Sequence, residues 1–455
     1  MAESAKSAAI EIVRTLRERG YQAYLVGGCV RDLLLGREPA DYDVSTDAHP
    51  EEVMRIFPKT WAVGAQFGVV LVPAESVAAD HHRSPDHPMT VEVATFRSDG
   101  LYTDGRHPNE VTYSKDPRED VQRRDFTING LLLDPTTNQV LDHVGGLADL
   151  QHQIIRTIGS PDKRFGEDKL RMLRAVRFAA RFGYKIDPDT LRAIKQLAPQ
   201  IAQVSRERVR DELTKMLTEG RARRAFELLD QTGLLHEVLP EVEKMKGVEQ
   251  PPQFHPEGDV WIHTLLMLEM LPPSASRTLG WGALLHDVGK PPTFRVAPDR
   301  IRFDNHVEVG VAMAEDIARR LRMSNDDTHQ VSALVGQHMR FADALKMKPS
   351  TLKRFMRQPR FPEHLEMHRI DCLASHGDLT IYDYLTRRLE ETRPEELRPR
   401  PLITGHDLLA MGYKPGPSFR EILSAVEDAQ LEGRIATREE AFDLVRRDYP
   451  VTASA

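Results

Sequence analysis

Residues 26–46 read VGGCVRDLLLGREPADYDVST. The preceding YQAYLV is a short apolar run, a buried strand that runs straight into Gly27 and Gly28. Adjacent glycines let backbone amides approach phosphate oxygens, and Arg31-Asp32 follow where a helix begins, an end that favours anions. Asp41 and Asp43 fall two apart in a second strand, where side chains repeat every two residues, so both project from one face. Two such carboxylates repel each other unless a cation sits between them, and Mg²⁺ takes one or two carboxylates together with substrate phosphates. A glycine turn followed by paired acids on a strand suits phosphoryl transfer with two metal ions. An acidic strand end in solvent has the same tripeptide, so the flanking sequence has to separate the two readings.

Around this stretch strands and helices alternate. An amphipathic helix opens the chain and ends near Gly20, a helix covers 50–57, and GVVLVPA and MTVEVATF are further strands. That order predicts an α/β head with a small mixed sheet. Between the last two strands, ESVAADHHRSPDHPM carries His81, His82 and His87 and reads as a solvated loop rather than a metal site. From about Gly146 helical periodicity takes over. DKLRMLRAVRFAARFG is a helix stopped by Gly183, and DPDTLRAIKQLAPQIAQVS and RERVRDELTKMLTEG are further helices. The proline-rich RPEELRPRPLITG is a linker before a C-terminal segment.

Composition bounds the function. The 455 residues include 62 Lys+Arg and 69 Asp+Glu, a net charge of −7, with 40% hydrophobic and 29% charged residues, which fits a soluble globular chain. No apolar run reaches the roughly 18 residues a membrane helix needs, and the first residues lack a signal core. Two cysteines, Cys29 and Cys372, exclude a disulfide framework and a four-Cys zinc site and fit a reducing cytoplasm. The charge is uneven. Pro161–Arg224 holds 17 Lys/Arg against 9 Asp/Glu in an otherwise acidic chain, either a local polyanion site or a solvated helical face.

The ordered motifs resemble those of the class II tRNA nucleotidyltransferases and bacterial poly(A) polymerases, within the polymerase-beta-like superfamily. Beyond VGGCVRDLLLG…DYDVST, the segment EVATFRSDGLYTDGRHPNEVTY is similar to that family's strand and flexible loop. RRDFTINGLLLDP is similar to its next motif, RFGEDKLRMLRAVRFAARFG to its base-reading helix, and RERVRDELTKML to the motif after that. The resemblance implies that Asp41 and Asp43 are catalytic and hold Mg²⁺. It implies that Gly27, Gly28, Arg31 and Arg124 bind nucleotide. It implies further that Asp168 and Arg171 choose the base, with Arg174 and Arg177 reaching triphosphate or base. The choice has a physical logic, because three residues apart on a helix is one face. There a carboxylate accepts the exocyclic amine of cytosine or adenine while an arginine donates to the neighbouring ring nitrogen. Guanine and uracil present the reverse order and leave both side chains unpaired, which discriminates by orders of magnitude. For Glu92 two readings stay open, a third carboxylate or an ordinary strand residue. The loop has Arg106-His107-Pro108 where many relatives have Arg-Arg-Pro. Its presence argues for terminal A addition, since relatives that add only CC lack a working loop.

From His255 onward histidines accumulate. His286-Asp287 lie next to each other at a helix end before Gly289, and such a pair shares one cation easily. The segment 255–375 resembles an HD-type domain of the metal-dependent phosphohydrolase superfamily. The resemblance implies that His263, His286, Asp287 and Asp371 are metal ligands and that His306 and His338 serve a second metal. Imidazole with carboxylate suits Ni, Mn, Zn or Fe. An active hydrolase and an RNA-binding tail both remain open. LITGHDLLAMGYKPGPSFREILSAVEDAQLEGRIATREEAFDLV resembles the terminal segment of HD-bearing relatives, with a role in contacting the tRNA elbow or in capping a bundle.

The expected fold is therefore α+β: a small mixed-sheet polymerase-beta-like nucleotidyltransferase head followed by an all-α neck, body and HD-type helical domain. The expected divisions are 1–147 for the head, 148–250 for a helical neck and body that selects nucleotide and binds RNA, 251–395 for the HD domain and 396–455 for a helical tail. The expected activity is template-independent addition of CCA to tRNA 3′ ends from CTP and ATP in the cytoplasm. Competing readings are an A-adding enzyme, a poly(A) polymerase, or an HD phosphohydrolase with an RNA-binding head. No segment specifies an oligomeric state.

Overall fold

The computed structural model describes residues 2–62, 68–74, 90–100, 111–253, 255–298 and 300–450. The chain forms two compact units, Met1–Glu243 and Lys244–Ala455. His81, His82, His87 and the Arg106-His107-Pro108 loop lie outside the described residues.

The first unit is built on a six-stranded sheet. Strands β1 (Ala23–Val26), β2 (Asp43–Thr46), β3 (Val69–Pro73), β4 (Thr90–Thr95), β5 (Leu131–Asp134) and β6 (Gln139–Asp142) lie in the order β3-β4-β2-β1-β5-β6. β2 and β4 are parallel and the other neighbours antiparallel, so the sheet is mixed as expected. Helix α1 (Ala2–Glu18) buries Ala8, Ala9, Ile12, Val13 and Leu16 completely, one stripe of an amphipathic helix. Each such aliphatic side chain larger than alanine contributes about 1.5–3 kcal/mol. β1 ends at Gly27, whose φ of 79° lies in the left-handed region, and α2 (Gly28–Leu34) starts at once. The Gly27 N–H donates to the Leu131 carbonyl of β5, which pins the turn to the sheet.

Three helices carry the residues expected to face nucleotide: α3 (Pro161–Glu167), α4 (Leu170–Phe182) and α5 (Arg206–Thr218). The periodicity places one continuous helix from 168. Instead, Asp168 is extended (φ −147°, ψ 108°) and lies between α3 and α4. Its carboxylate accepts from the Leu170 N–H at 3.0 Å, so this short polar side chain bonds the new helix from outside rather than continuing the old one. Gly183 ends α4 with φ 74°.

Among the described residues, the strands of the second unit are a hairpin of Phe294–Val296 with Ile301–Phe303, and the rest of its regular structure is helical. Its helices α6 (Val260–Glu269), α7 (Arg277–Leu285), α8 (His306–Arg320), α9 (Asn325–Gln337) and α10 (Phe361–Ala374) enclose the histidine cluster. Past the proline-rich stretch, the C-terminal helices bury Ile403, Leu408, Ile422, Val426 and Leu444 in a small core. Arg357–Glu427 at 2.7 Å, Arg354–Glu427 at 2.5 Å and Ser350–Glu432 at 2.9 Å tie that core to helix Pro349–Met356. Among the described residues no helix is long and apolar enough to cross a membrane.

Candidate functional site

Asp43 is the first residue of β2. In the parallel ladder it stands directly beside Glu92 of β4, so the strand pairing itself puts two carboxylates on one face. Asp41 precedes the strand, not within it as expected, but the alternation persists through Tyr42, which is buried between the two acids. Burial, then Glu92, then Asp41 push the Asp43 carboxyl up to about 7, and Arg124 opposes them. Crowded like charges of this kind fit a divalent cation.

The backbone beside these acids is open. A Cβ on Gly27 would lie 3.0 Å from Arg124 Nη1 and 4.0 Å from Asp43 Oδ2. Any other residue would therefore intrude between the guanidinium and the carboxylate. Arg124 donates to Asp120 at 3.3 Å, while its buried Nε has no hydrogen-bond partner among the described residues. Arg31 sits deeper. It bonds Asp32 at 2.9 Å and Asn129 at 2.6 Å and lies over the Phe182 ring at 4.6 Å. It is thus a buried brace between α2 and α4, and its Nη2 lies 3.6 Å from where a Gly28 Cβ would stand.

On the helical side, Asp168 and Arg171 are near each other in sequence but committed to different partners. Arg208 of α5 grips both Asp168 oxygens, at 3.2 and 2.7 Å. Arg171 donates to Glu167 at 2.7 Å and to the Arg123 carbonyl at 3.1 Å. Arg208 and Glu167 were not singled out by sequence reasoning, although both lie inside the quoted motifs; nothing in the spacing says which arginine of RERVR turns inward. Arg174 donates to Asp125 at 2.8 Å. Against burial, Arg174 and the Asn129 amide hold Asp125 down at about 2. Arg177 is 5% exposed, bonds Glu212 at 2.6 Å and Glu219 at 3.1 Å, and lies over Phe178 at 4.3 Å. Glu212 is itself 3% exposed. Replacing Arg177 by alanine will leave that buried carboxylate only Arg174 and Lys215, each at 3.9 Å, and cost about 3 kcal/mol. Urea unfolding measures it, and the double change R177M/E212L will restore most of the loss.

In the second unit, six expected ligands converge. His263 lies on α6, His286-Asp287 just past α7, His306 at the start of α8, His338 just past α9 and Asp371 on α10. His263 Nε2 is 3.1 Å from Asp371 Oδ1 and His286 Nε2 is 3.2 Å from Asp287 Oδ2. His306 and His338 direct Nε2 to Asp287 Oδ1 at 4.0 and 3.8 Å. His286, His306 and His338 each place Nδ1 against a carbonyl three residues back, at 2.9, 2.9 and 2.7 Å. Their Nε2 atoms are buried without hydrogen-bond partners among the described residues, as is Asp287 Oδ1. Buried polar atoms converging unpaired are what a metal ion would satisfy; His263, His286 and Asp287 form one such group and Asp287, His306 and His338 another, while Asp371 adjoins the first through His263. Burial lowers His338 to about 4, while Asp371 and Glu257 raise His263 to about 9 against its burial. Gly289 is forced, since a Cβ there would lie 2.1 Å from the His306 carbonyl. Sequence reasoning missed Glu257 and Lys290. The latter's Nζ is 2.6 Å from Asp287 and 2.5 Å from Gln250.

Residues 23–156 match the poly A polymerase head domain, 183–246 the probable RNA and SrmB-binding site of polymerase A, and 259–373 the HD domain. The CCA-adding enzyme of Geobacillus stearothermophilus is 46% identical over 226 residues, 50% of this chain and 53% of that protein. That alignment spans about half of each. The CCA-adding enzyme of Geobacillus sp. (strain WCH70) is 32% identical over 440 residues, 95% of this chain and 94% of that one. The crystal structure of the Bacillus stearothermophilus CCA-adding enzyme in complex with CTP has a TM-score of 0.73 at 29% identity, covering 97% of both chains. A Thermotoga maritima CCA-adding enzyme complexed with tRNA shares the fold, with a TM-score of 0.58 at 18% identity. The mixed-sheet head, helical body and HD domain are thus all matched, and the chain belongs to the CCA-adding enzymes, a family of nucleotidyltransferases.

Proposed function

We propose that this chain adds C and A to tRNA 3′ ends from CTP and ATP without a template, in the cytoplasm. The observation that carries the reading is the Asp43–Glu92 pairing beside the open backbone of Gly27 and the guanidinium of Arg124. The tRNA 3′ hydroxyl attacks the α-phosphorus; its O–P bond forms as the α–β bridge breaks, pyrophosphate leaves and the hydroxyl proton passes to solvent. Asp41 and Asp43, with Glu92, would hold Mg²⁺, which supplies charge stabilisation at the reacting phosphate. The Gly27 and Gly28 backbone and Arg124 receive the triphosphate, with Arg31 bracing the turn. Asp168 and Arg171 read the base edge, and Arg174 and Arg177 hold α4 in place through Asp125, Glu212 and Glu219. The relatives' names and the CTP-bound and tRNA-bound structures support the same substrates. The divisions 1–147, 148–250, 251–395 and 396–455 are the proposed head, neck and body, HD domain and tail.

The test is incubation with Mg²⁺, CTP, ATP and a tRNA transcript that ends before CCA. Growth by three residues that then stops is the expected result. Extension only of a CC-ended transcript by one A would mean an A-adding enzyme, and long A tails on unrelated RNA a poly(A) polymerase.

A second activity is favoured by the buried cluster around Asp287. We propose metal-dependent phosphoester hydrolysis there, with Ni, Mn, Zn or Fe held by His263, His286, Asp287 and Asp371 and a second ion by His306 and His338. Phosphate release from p-nitrophenyl phosphate with Ni²⁺, lost in His286→Ala, is the expected result.

A further inference from the structure

Asp120 is completely buried and lies on the short helix Pro117–Gln122, which Asp116 caps through the Arg118 N–H at 2.9 Å. The next residue, Val121, packs with Val26 of β1 and Leu132 of β5, so the helix is seated beside the strand that ends in the glycine turn. Arg123 and Arg124 follow Asp120 at spacings of three and four, which share one face at the end of a helix. Both guanidiniums close on the one carboxylate. Arg123 donates from Nε to Oδ1 at 2.9 Å, and Arg124 from Nη2 to Oδ2 at 3.3 Å. The Ser45 hydroxyl donates to the same Oδ2 at 3.0 Å. Ser45 stands two residues after Asp43 on β2 and so shares its face of the strand. Burial disfavours the charged form of Asp120, but Arg123 and Arg124 overcome it and hold the carboxyl below its usual range.

The arrangement leaves most of Arg124 uncommitted. A guanidinium carries five N–H donors. Among the described residues the Arg124 side chain gives one of them to Asp120, and its buried Nε has no hydrogen-bond partner. Its Nη1 stands 3.0 Å from where a Cβ on Gly27 would be, at the turn that receives the triphosphate. A long side chain loses rotamer freedom when a ligand arrests it, and one already held by a buried carboxylate loses less on binding. The neighbouring Arg123 serves the base side, where its main-chain carbonyl accepts from Arg171 at 3.1 Å. Arg171 has a second anchor in Glu167 at 2.7 Å, whereas Arg124 depends on Asp120.

We propose that Asp120 is a positioning residue for the triphosphate: it holds the Arg124 guanidinium at the Gly27 turn, and Ser45 ties it to the strand that carries Asp43. This rests on the reading of Gly27, Gly28 and Arg124 as the group that receives the triphosphate.

The test is incorporation of CTP and UTP by the full chain into a transcript that ends before CCA, with inorganic tripolyphosphate as competitor and free Mg²⁺ held constant. Tripolyphosphate has no base, so its inhibition constant reports the phosphate side alone. Asp120→Asn is expected to raise that constant and the KM for CTP about 10-fold each, with kcat changed less. The ratio of kcat/KM for CTP over UTP stays as in the parent. Arg124→Ala raises the inhibition constant at least as far. Adding Asp120→Asn to Arg124→Ala then changes it by less than about twofold, because a residue that acts through Arg124 has nothing left to position. Ser45→Ala, which removes one bond without leaving a charge unpaired, raises it about threefold. Melting temperatures show which variants fold. An Asp120→Asn constant within about twofold of the parent overturns this inference alone, as does a further 10-fold loss in the double variant or a collapsed CTP-over-UTP ratio. If Asp120→Asn does not fold, a Ser45→Ala constant equal to the parent's overturns it. A parent that incorporates no nucleotide, or an Arg124→Ala constant equal to the parent's, overturns the triphosphate reading and this inference with it.

Discussion

Asp43→Asn will lose nucleotide incorporation on the order of 10³-fold or more without losing the fold. Its carboxylate stands beside Glu92 and near Asp41, and an amide cannot replace its charge toward a cation or a triphosphate. The stability half of the prediction follows from the sign of the shift. Burial and the neighbouring acids raise the Asp43 carboxyl to about 7, so the folded chain holds that proton more tightly than the unfolded chain does. Between about pH 4 and 7 this group's contribution to stability falls as pH rises, and above about 7 it is constant and unfavourable. Asparagine removes that unfavourable charge. At pH 8 without metal, Asp43→Asn will therefore unfold in urea no earlier than the parent, which separates chemical loss from misfolding. The same proton competes with Mg²⁺, so activity at limiting Mg²⁺ will fall as pH drops below 7. Saturating Mg²⁺ will move that limb to lower pH.

Asp168→Ala will collapse base selection. With the carboxylate present, cytosine and adenine offer it an exocyclic N–H, whereas uracil and guanine offer a carbonyl oxygen that it repels. Sites built this way discriminate through the unpaired groups left by the wrong partner. The ratio of kcat/KM for CTP over UTP is expected to fall about 10²–10⁴-fold, mainly through slower CTP incorporation. Stability will change little. Arg208 loses its bidentate partner, but at 23% side-chain exposure it regains water, a cost of about 1 kcal/mol or less. Single-nucleotide kinetics with the four nucleotides measure the ratio. An unchanged ratio would remove Asp168 from base selection.

The head was legible in the sequence because its signals are local. Glycines at 27 and 28 and acids at 41 and 43 report a turn and a strand face within twenty residues. The strands at 69–73 and 90–95 carry the alternation that the sheet uses. What escaped was set by pairing between distant segments. The partnership of Asp43 with Glu92 is a matter of register across a parallel ladder, and one sequence does not specify register. The break at Asp168 escaped because a capping carboxylate and a helical one look alike in a periodic pattern. Arg31, Arg174 and Arg177 were expected to face nucleotide. They bond Asp32, Asn129, Asp125 and Glu212, and sequence spacing does not show which carboxylates fold opposite. In the HD domain His263, His286, His306 and His338 gather around Asp287, with Asp371 against His263. Glu257 was passed over because it meets His255 and His263 only once the turn before the helix is folded.

The most direct test of template-free C and A addition is single-turnover incorporation of each of the four nucleotides. It would use the full chain with Mg²⁺ and two transcripts, one ending before CCA and one ending in CC. C alone on the first, A alone on the second and U and G at least about 10²-fold slower on both is the predicted result. Equal use of all four nucleotides, or no incorporation from any, would contradict it.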